Sequence, residues 1–277
     1  SLYNGPEKRK ATYHEFLPNL SIRYKPDMEN QLFYNLTRNM RTPPNYVLYN
    51  VGDSINTKPE LSWNHELGWR FQRDDMLLSA TLFYMRYSDR QISTTNADGD
   101  YEMMNIGSVE SKGMELEWSG ELPHNFNYYA SYTYTRSEQK DNIVSNGGNP
   151  LPTADKTVPN VPRNMLNFSL GYDDGLYYGS VGGKYVSSFY GDLTNNEKIG
   201  GRTTFDVSTG IHLPVDKKLV KSATLRFGID NLFNKQYLTS VRSTTFNAAA
   251  YSGVKASIPY YNVGEERTFS VSLEATF

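Results

Sequence analysis

The stretch "NFNYYASYTYT" puts Phe126, Tyr128, Ala130, Tyr132 and Tyr134 on one face of an extended chain, and Asn127, Tyr129, Ser131, Thr133 and Thr135 on the other. Side chains of a strand alternate sides, so this is a strand with one apolar and one polar face. The same period-two pattern recurs in "TTFDVSTGIHLP", in "SATLRFGIDN" and in the last stretch, "RTFSVSLEATF". About eleven such segments follow one another: roughly 14–24, 30–38, 61–72, 76–90, 101–119, 125–136, 163–173, 176–187, 202–213, 222–232 and 264–277. Helical periodicity is almost absent.

The connections constrain the fold further. Short turns such as "KPDMEN", "QRDDM", "GELPHN", "DDG" and "VDKKLVK" alternate strictly with long excursions such as "SSFYGDLTNNEKIG". An up-and-down antiparallel meander with one plain rim and one elaborated rim has this form; a Greek-key sandwich has no reason to adopt it. Transmembrane barrels of outer-membrane type have short periplasmic turns and long extracellular loops.

Composition supports that reading. Aromatic residues make up 14% of the chain, with 22 tyrosines, while hydrophobic residues are only 38%. Mean hydropathy is −0.61, and no apolar run is long enough for a transmembrane helix. If the short turns are periplasmic, the periplasmic ends of the apolar faces are Trp69, Phe71, Trp118, Phe126, Tyr128, Tyr172, Tyr177 and Phe277. That is the composition of an interfacial aromatic girdle, which Leu213 and Ala223 interrupt. Charged residues of the strands, among them Arg23, Glu66, Arg70, Glu115, Glu117, Lys184, Asp206, Arg226, Asp230 and Glu274, fall on the other face. A lone Arg or Lys facing lipid at mid-membrane costs about 2–4 kcal/mol, so a membrane enforces this segregation.

Other functions find little support. Net charge is −2, so there is no electrostatic footprint for nucleic acid. There is no cysteine, and the four histidines (His14, His65, His124 and His212) lack ligand spacing, so neither a disulfide nor a resident metal or cofactor site is expected. No catalytic triad, phosphate loop or nucleotide fingerprint is present, and the chain does not read as an enzyme.

"LRFGIDNLFNKQYLTS", with Asn231, Leu232, Phe233, Asn234, Lys235 and Tyr237, resembles the penultimate-strand signature of TonB-dependent outer-membrane receptors. "VGEERTFSVSLEATF" is similar to that family's last strand. "TKPELSWNHELGWRF" (Lys58, Pro59, Glu60, Ser62, Glu66, Gly68) and "NIGSVESKGMELEW" (Asn105, Gly107, Gly113, Glu115) resemble two upstream motifs, in the family's order.

The resemblance implies a bacterial outer-membrane receptor for energy-coupled uptake of a ferric chelate of siderophore or citrate type. Family members place an N-terminal plug inside a barrel of about 22 strands. About eleven strands and no plug therefore imply the C-terminal part of one barrel, beginning within an extracellular loop, with residues 1–277 as a single barrel domain. The implied partners are the lipid bilayer, the iron chelate, the TonB complex acting through the plug, the missing N-terminal half of the barrel, and the barrel assembly machinery. The machinery would read the terminal strand through Phe269, Val271, Leu273 and Phe277.

The loop residues Arg41, Tyr46, Tyr49, Tyr190, Arg242, Tyr251, Lys255, Tyr260 and Tyr261 are the candidate chelate-binding set. Guanidinium supplies charge, and phenols supply stacking and hydrogen bonds. A passive porin-type channel, a barrel fragment captured by the assembly machinery and a soluble β-rich binding module remain as alternatives.

Overall fold

The computed structural model describes residues 11–44, 58–95, 101–144, 150–215, 220–243, 247–251, 256 and 260–277. In chain order the strands are β1 (Asn19–Tyr24), β2 (Asn30–Arg41), β3 (Glu60–Arg73), β4 (Met76–Ser88), β5 (Gln91–Thr95), β6 (Tyr101–Asn105), β7 (Val109–Leu122), β8 (Phe126–Gln139), β9 (Ile143–Val144) and β10 (Pro150–Leu151). They continue with β11 (Asn164–Asp173), β12 (Tyr177–Val186), β13 (Phe189–Tyr190), β14 (Lys198–Ile199), β15 (Arg202–Leu213), β16 (Ser222–Asp230), β17 (Leu238–Ser243), β18 (Tyr260–Val263) and β19 (Thr268–Thr276).

Eleven of these form one antiparallel sheet in the order β1-β2-β3-β4-β7-β8-β11-β12-β15-β16-β19. Among its members each neighbour is the next strand in the chain, so the sheet is an up-and-down meander. It is not closed: β1 and β19 lie at its two edges and do not pair with each other. The other eight strands form four small hairpins, β5-β6, β9-β10, β13-β14 and β17-β18, all within the long excursions.

The register fixes which residues share a face. Leu32 lies opposite Trp69, Trp69 opposite Ala80, Leu78 opposite Trp118, and Trp118 opposite Ala130. Leu170 opposite Val181, Val181 opposite Val207, and Phe227 opposite Val271 continue this apolar face to the far edge. Many of its side chains are exposed, including Leu67, Leu82, Trp118, Phe168, Phe227 and Leu273. Leaving each of these in water costs about 1.5–3 kcal/mol relative to burial, and lipid removes that cost.

The opposite face is polar and internally hydrogen-bonded. Ser21 Oγ donates to Asn35 Oδ1 at 2.8 Å, Asn35 Nδ2 to Glu66 Oε2 at 3.2 Å, and Asn167 Nδ2 to Ser131 Oγ at 3.2 Å. Ser180 and Ser208 hydroxyls meet at 2.9 Å. Aromatic rings on this face cover glycines of the neighbouring strand: Phe33 lies over Gly68 and Phe83 over Gly113. A Cβ at Gly113 would also strike the Tyr134 carbonyl, so that glycine allows close approach of backbone.

Three boundaries differ from the sequence expectation. The first strand, expected over 14–24, begins at Asn19, and residues 14–18 before it are outside any strand. The expected single strand over 101–119 is two, because Gly107 takes φ +78° and turns the chain between β6 and β7. The last strand begins at Thr268 rather than Gly264, because residues 264–267 fold against Asn231, Asn234 and Tyr237.

The packed core is not under the sheet. Among the described residues, the buried apolar side chains are Met103, Ile106, Val109, Ile143, Leu151, Val186, Phe189, Leu193, Ile199 and Val241. All lie in the long excursions or at the strand ends that feed them. The wall has lipid-type and water-type faces; its excursions carry the tertiary packing.

Candidate functional site

The elaborated rim is held by two polar knots. In the first, buried Glu60 accepts from Arg90 Nη1 and from the Gln91 N–H, both at 2.8 Å. Asn105 Oδ1 accepts from the Lys58 N–H at 2.8 Å, and Asn105 Nδ2 donates back to the Lys58 carbonyl at 3.1 Å. The Gln91 side chain donates to the Lys58 carbonyl at 2.7 Å and to the Arg41 carbonyl at 3.3 Å. The stretches "KPE" and "NIG" therefore meet in space and join the ends of β2, β3, β5 and β6.

The second knot is built on Asn231, which follows β16 with φ 50°. Its Nδ2 donates to the carbonyls of Lys235 and Glu265, both at 2.9 Å, and its Oδ1 accepts from the Lys235 N–H at 2.8 Å. Asn234 Oδ1 accepts from the Arg267 N–H at 2.9 Å. The Tyr237 ring covers Gly264, and the Arg202 guanidinium lies 4.8 Å from the centre of that ring. "NLFNKQY" and "VGEER" thus form one turn that redirects the chain from β16 toward β19.

Above these knots the excursions fold toward the polar face. Tyr87, Val109 and Gln139 are neighbours across β4, β7 and β8, and regular register puts Val109 and Gln139 on the same side as Ser111 and Ser137, whose hydroxyls meet at 2.6 Å. Leu193, from the excursion between β12 and β15, packs with Val109, Ile106, Ile143 and Leu151, and with Tyr87. Gln139 Nε2 donates to the Leu193 carbonyl at 2.9 Å. Phe189 and Ile199 pack in turn on Val241 and Tyr261 of the excursion between β16 and β19. The loops cover the upper polar face of β4, β7 and β8 instead of standing away from the barrel.

The described candidate binding residues lie along the elaborated rim. Arg41 is exposed at the end of β2, and Tyr190 is half-buried in β13. Tyr251 and Tyr260 are exposed. Tyr261, beside Tyr260 in β18, turns inward and donates its hydroxyl to Glu197 Oε1 at 2.6 Å. Burial, reinforced by that carboxylate, pushes the Tyr261 phenol up to about 12. Arg242 belongs to β17. Tyr46, Tyr49 and Lys255 lie outside the described residues.

The lower aromatic residues fall near the short-turn edge. Trp69 and Phe71 rings lie 6.3 Å apart, Trp118 and Tyr128 4.9 Å apart, and Phe126 and Tyr172 5.0 Å apart. Tyr177 and Phe277 are exposed there, as are Phe269, Val271 and Leu273 along β19. The adjacent turns are set by Asp27 and Asp174. Each carboxyl is held below its usual range by backbone N–H donors, from Asn30 and Tyr177 respectively.

Sequence reasoning missed Asp192, Asn195, Asn160 and Gln139. Each is a polar side chain bonded to an excursion far away in sequence. Asp192, Asn195 and Asn160 sit in no periodic pattern, and Gln139 lies beyond the expected end of its strand at 136.

The TonB dependent receptor-like, beta-barrel family profile matches residues 2–232. The chain is 27% identical over 206 residues to a ferrioxamine receptor of Yersinia enterocolitica, covering 73% of this chain and 27% of that protein. It is 24% identical over 191 residues to the ferrichrome outer membrane transporter/phage receptor of Escherichia coli K12, covering 67% of this chain and 24% of that protein. The chain thus spans about a quarter of the length of these relatives. The unliganded ferric citrate transporter FecA superposes with a TM-score of 0.71 at 18% identity, over 94% of this chain and 38% of FecA. The ferric yersiniabactin receptor FyuA of Yersinia pestis gives 0.68 at 21% identity, over 94% of this chain and 37% of FyuA. The chain belongs to the TonB-dependent receptor β-barrel family of the bacterial outer membrane.

Proposed function

We propose that this chain forms the C-terminal part of the barrel wall, and part of the extracellular mouth, of a receptor that takes up a ferric siderophore by energy coupling. The observation that carries the reading is the inward-folded cap. Loops bearing exposed Tyr251 and Tyr260 are packed over the polar face of a lipid-facing wall, where a polar solute would enter. The named relatives include receptors for ferrioxamine and ferrichrome, which sets the chemical class to try first. Arg41, Tyr46, Tyr49, Tyr190, Arg242, Tyr251, Lys255 and Tyr260 supply candidate contacts, while Tyr261, with its hydroxyl committed to Glu197, supports the surface from beneath.

The partners of this reading are a plug in the lumen, the TonB complex pulling on it, the remaining barrel strands, and the assembly machinery acting on β19. Glu66, Glu115 and Glu117 lie on the polar face of the wall and are placed to accept hydrogen bonds from a plug. Trp69, Phe71, Trp118, Phe126, Tyr128, Tyr172, Tyr177 and Phe277 serve as the periplasmic girdle.

The test is uptake of radiolabelled ferrioxamine B by cells whose only ferrioxamine route is the full-length receptor. Uptake that stops when a protonophore removes the inner-membrane gradient supports the reading. Uptake that persists indicates a passive channel. Arg41→Ala should weaken ferrioxamine B binding to the purified receptor, and unchanged binding removes Arg41 from the site.

A further inference from the structure

Three of the long excursions are tied to one another in a closed triangle. The excursion between β8 and β11 meets that between β12 and β15 through Asn195: its Oδ1 accepts from the Thr157 N–H at 2.7 Å and its Nδ2 donates to the Thr157 carbonyl at 2.8 Å. The excursion between β12 and β15 meets that between β16 and β19 through Asp192, whose Oδ2 accepts from the Ala248 N–H at 3.1 Å. The triangle closes through Asn160: its Nδ2 donates to the Val241 carbonyl at 3.0 Å and its Oδ1 accepts from the Val241 N–H at 2.8 Å.

Asn160 and Asn195 each present an amide to a backbone amide, as one strand does to another. Asp192 is fully buried and satisfied locally as well: Oδ1 accepts from the Glu197 N–H at 2.9 Å and Oδ2 from Thr194 Oγ1 at 2.5 Å. Displacing any one excursion breaks two sides of the triangle and leaves polar groups unpaired in a packed cluster. The cluster is itself seated on the polar face of the wall through Leu193 against Val109 and through Gln139.

We infer that Asp192, Asn160 and Asn195 are positioning residues that hold these three excursions as one body on the lumenal side of β4, β7 and β8. The mouth on this side opens as a unit or not at all, and Tyr190 and Tyr260 reach a cargo from a common, preformed surface. The inference deepens the proposed receptor function and rests on it only for the cargo.

Hydrogen exchange of the full-length receptor in detergent micelles tests the coupling without any cargo. In Asp192→Ala, amides of 150–158 and 238–243 should exchange about tenfold faster or more, together with those of 189–199. β11, β12 and β15 should keep their protection. Asn160→Ala, on a different excursion, should release the same three segments, and it decides the matter if Asp192→Ala fails to fold. Acceleration confined to the excursion that carries the substitution overturns the inference. Ferrioxamine B affinity of the purified receptor, measured in parallel, should fall in both variants with binding capacity unchanged. If the wild type ignores ferrioxamine B while the three segments still release together, the cargo assignment fails and the positioning role stands.

Discussion

Replacing Asn231 by alanine removes two separable contributions from the turn between β16 and β19. Three side-chain hydrogen bonds disappear, to the Lys235 and Glu265 carbonyls and from the Lys235 N–H. At about 0.5–1.5 kcal/mol net per bond, this loss is about 1.5–4.5 kcal/mol. The φ of 50° adds a backbone cost of about 1–2 kcal/mol for alanine, which asparagine tolerates better and glycine avoids. Asn231→Ala should therefore destabilise the turn by about 3–6 kcal/mol, and Asn231→Gly by about 1 kcal/mol less. Asn231→Asp keeps the acceptor for Lys235 but turns a carboxylate oxygen toward two carbonyls, so it should not rescue. Native-state hydrogen exchange at Lys235, Arg267 and Gly264 reads the local opening free energy in the full-length receptor. Equal effects of Ala and Gly would refute the backbone argument, and a neutral Asn231→Gly would refute the hydrogen-bond argument.

Gly113→Ala should cost about 1–3 kcal/mol, because its Cβ meets the Tyr134 carbonyl, whereas Gly68→Ala should cost less, because only the Phe33 ring must swing into the lumen. Denaturant unfolding in micelles followed by gel mobility compares the two. Glu60→Ala should open the first rim knot by about 2–3 kcal/mol, after allowance for the partial exposure of Arg90, and faster exchange at the Gln91 amide would register it. Because the Tyr261 phenol is raised from 10.0 to about 12, its contribution to cap stability is complete below about pH 10 and is lost as pH rises toward 12. A phenolate absorbance titration of wild type against Tyr261→Phe should show one late-titrating tyrosine missing from the variant.

The wall was legible in the sequence because a lipid-facing sheet has to write its geometry with period two. Trp69, Trp118 and Phe168 on one parity and Glu66, Glu117 and Asn167 on the other suffice to assign faces, and loop lengths assign rims. The cap was not legible. Its order comes from side chains such as Asn160 and Asn195, which bond to backbone 81 and 38 residues away. No local pattern records such a partner. The break between β6 and β7 was hidden for a related reason: the alternation resumes after Gly107 as if uninterrupted, and only the positive φ shows the turn. Family motifs marked the places where the knots lie, but their reason for being there, mutual bonding of Lys58 with Asn105 and of Asn231 with Glu265, is a tertiary fact.

The central claim is that the face carrying Phe126, Tyr128, Ala130, Tyr132 and Tyr134 contacts lipid, while the face carrying Asn127, Tyr129, Ser131, Thr133 and Thr135 lines the lumen. Residues 1–277 contain no cysteine, so single cysteines placed along β8 from 126 to 135, with any cysteine elsewhere in the full-length receptor replaced by serine, take a spin label at one site. With the full-length receptor in bilayers, oxygen accessibility should peak at the even positions. A water-soluble nickel relaxant should not share that pattern. Uniform accessibility along β8, or maximal oxygen accessibility at the odd positions, would contradict the account.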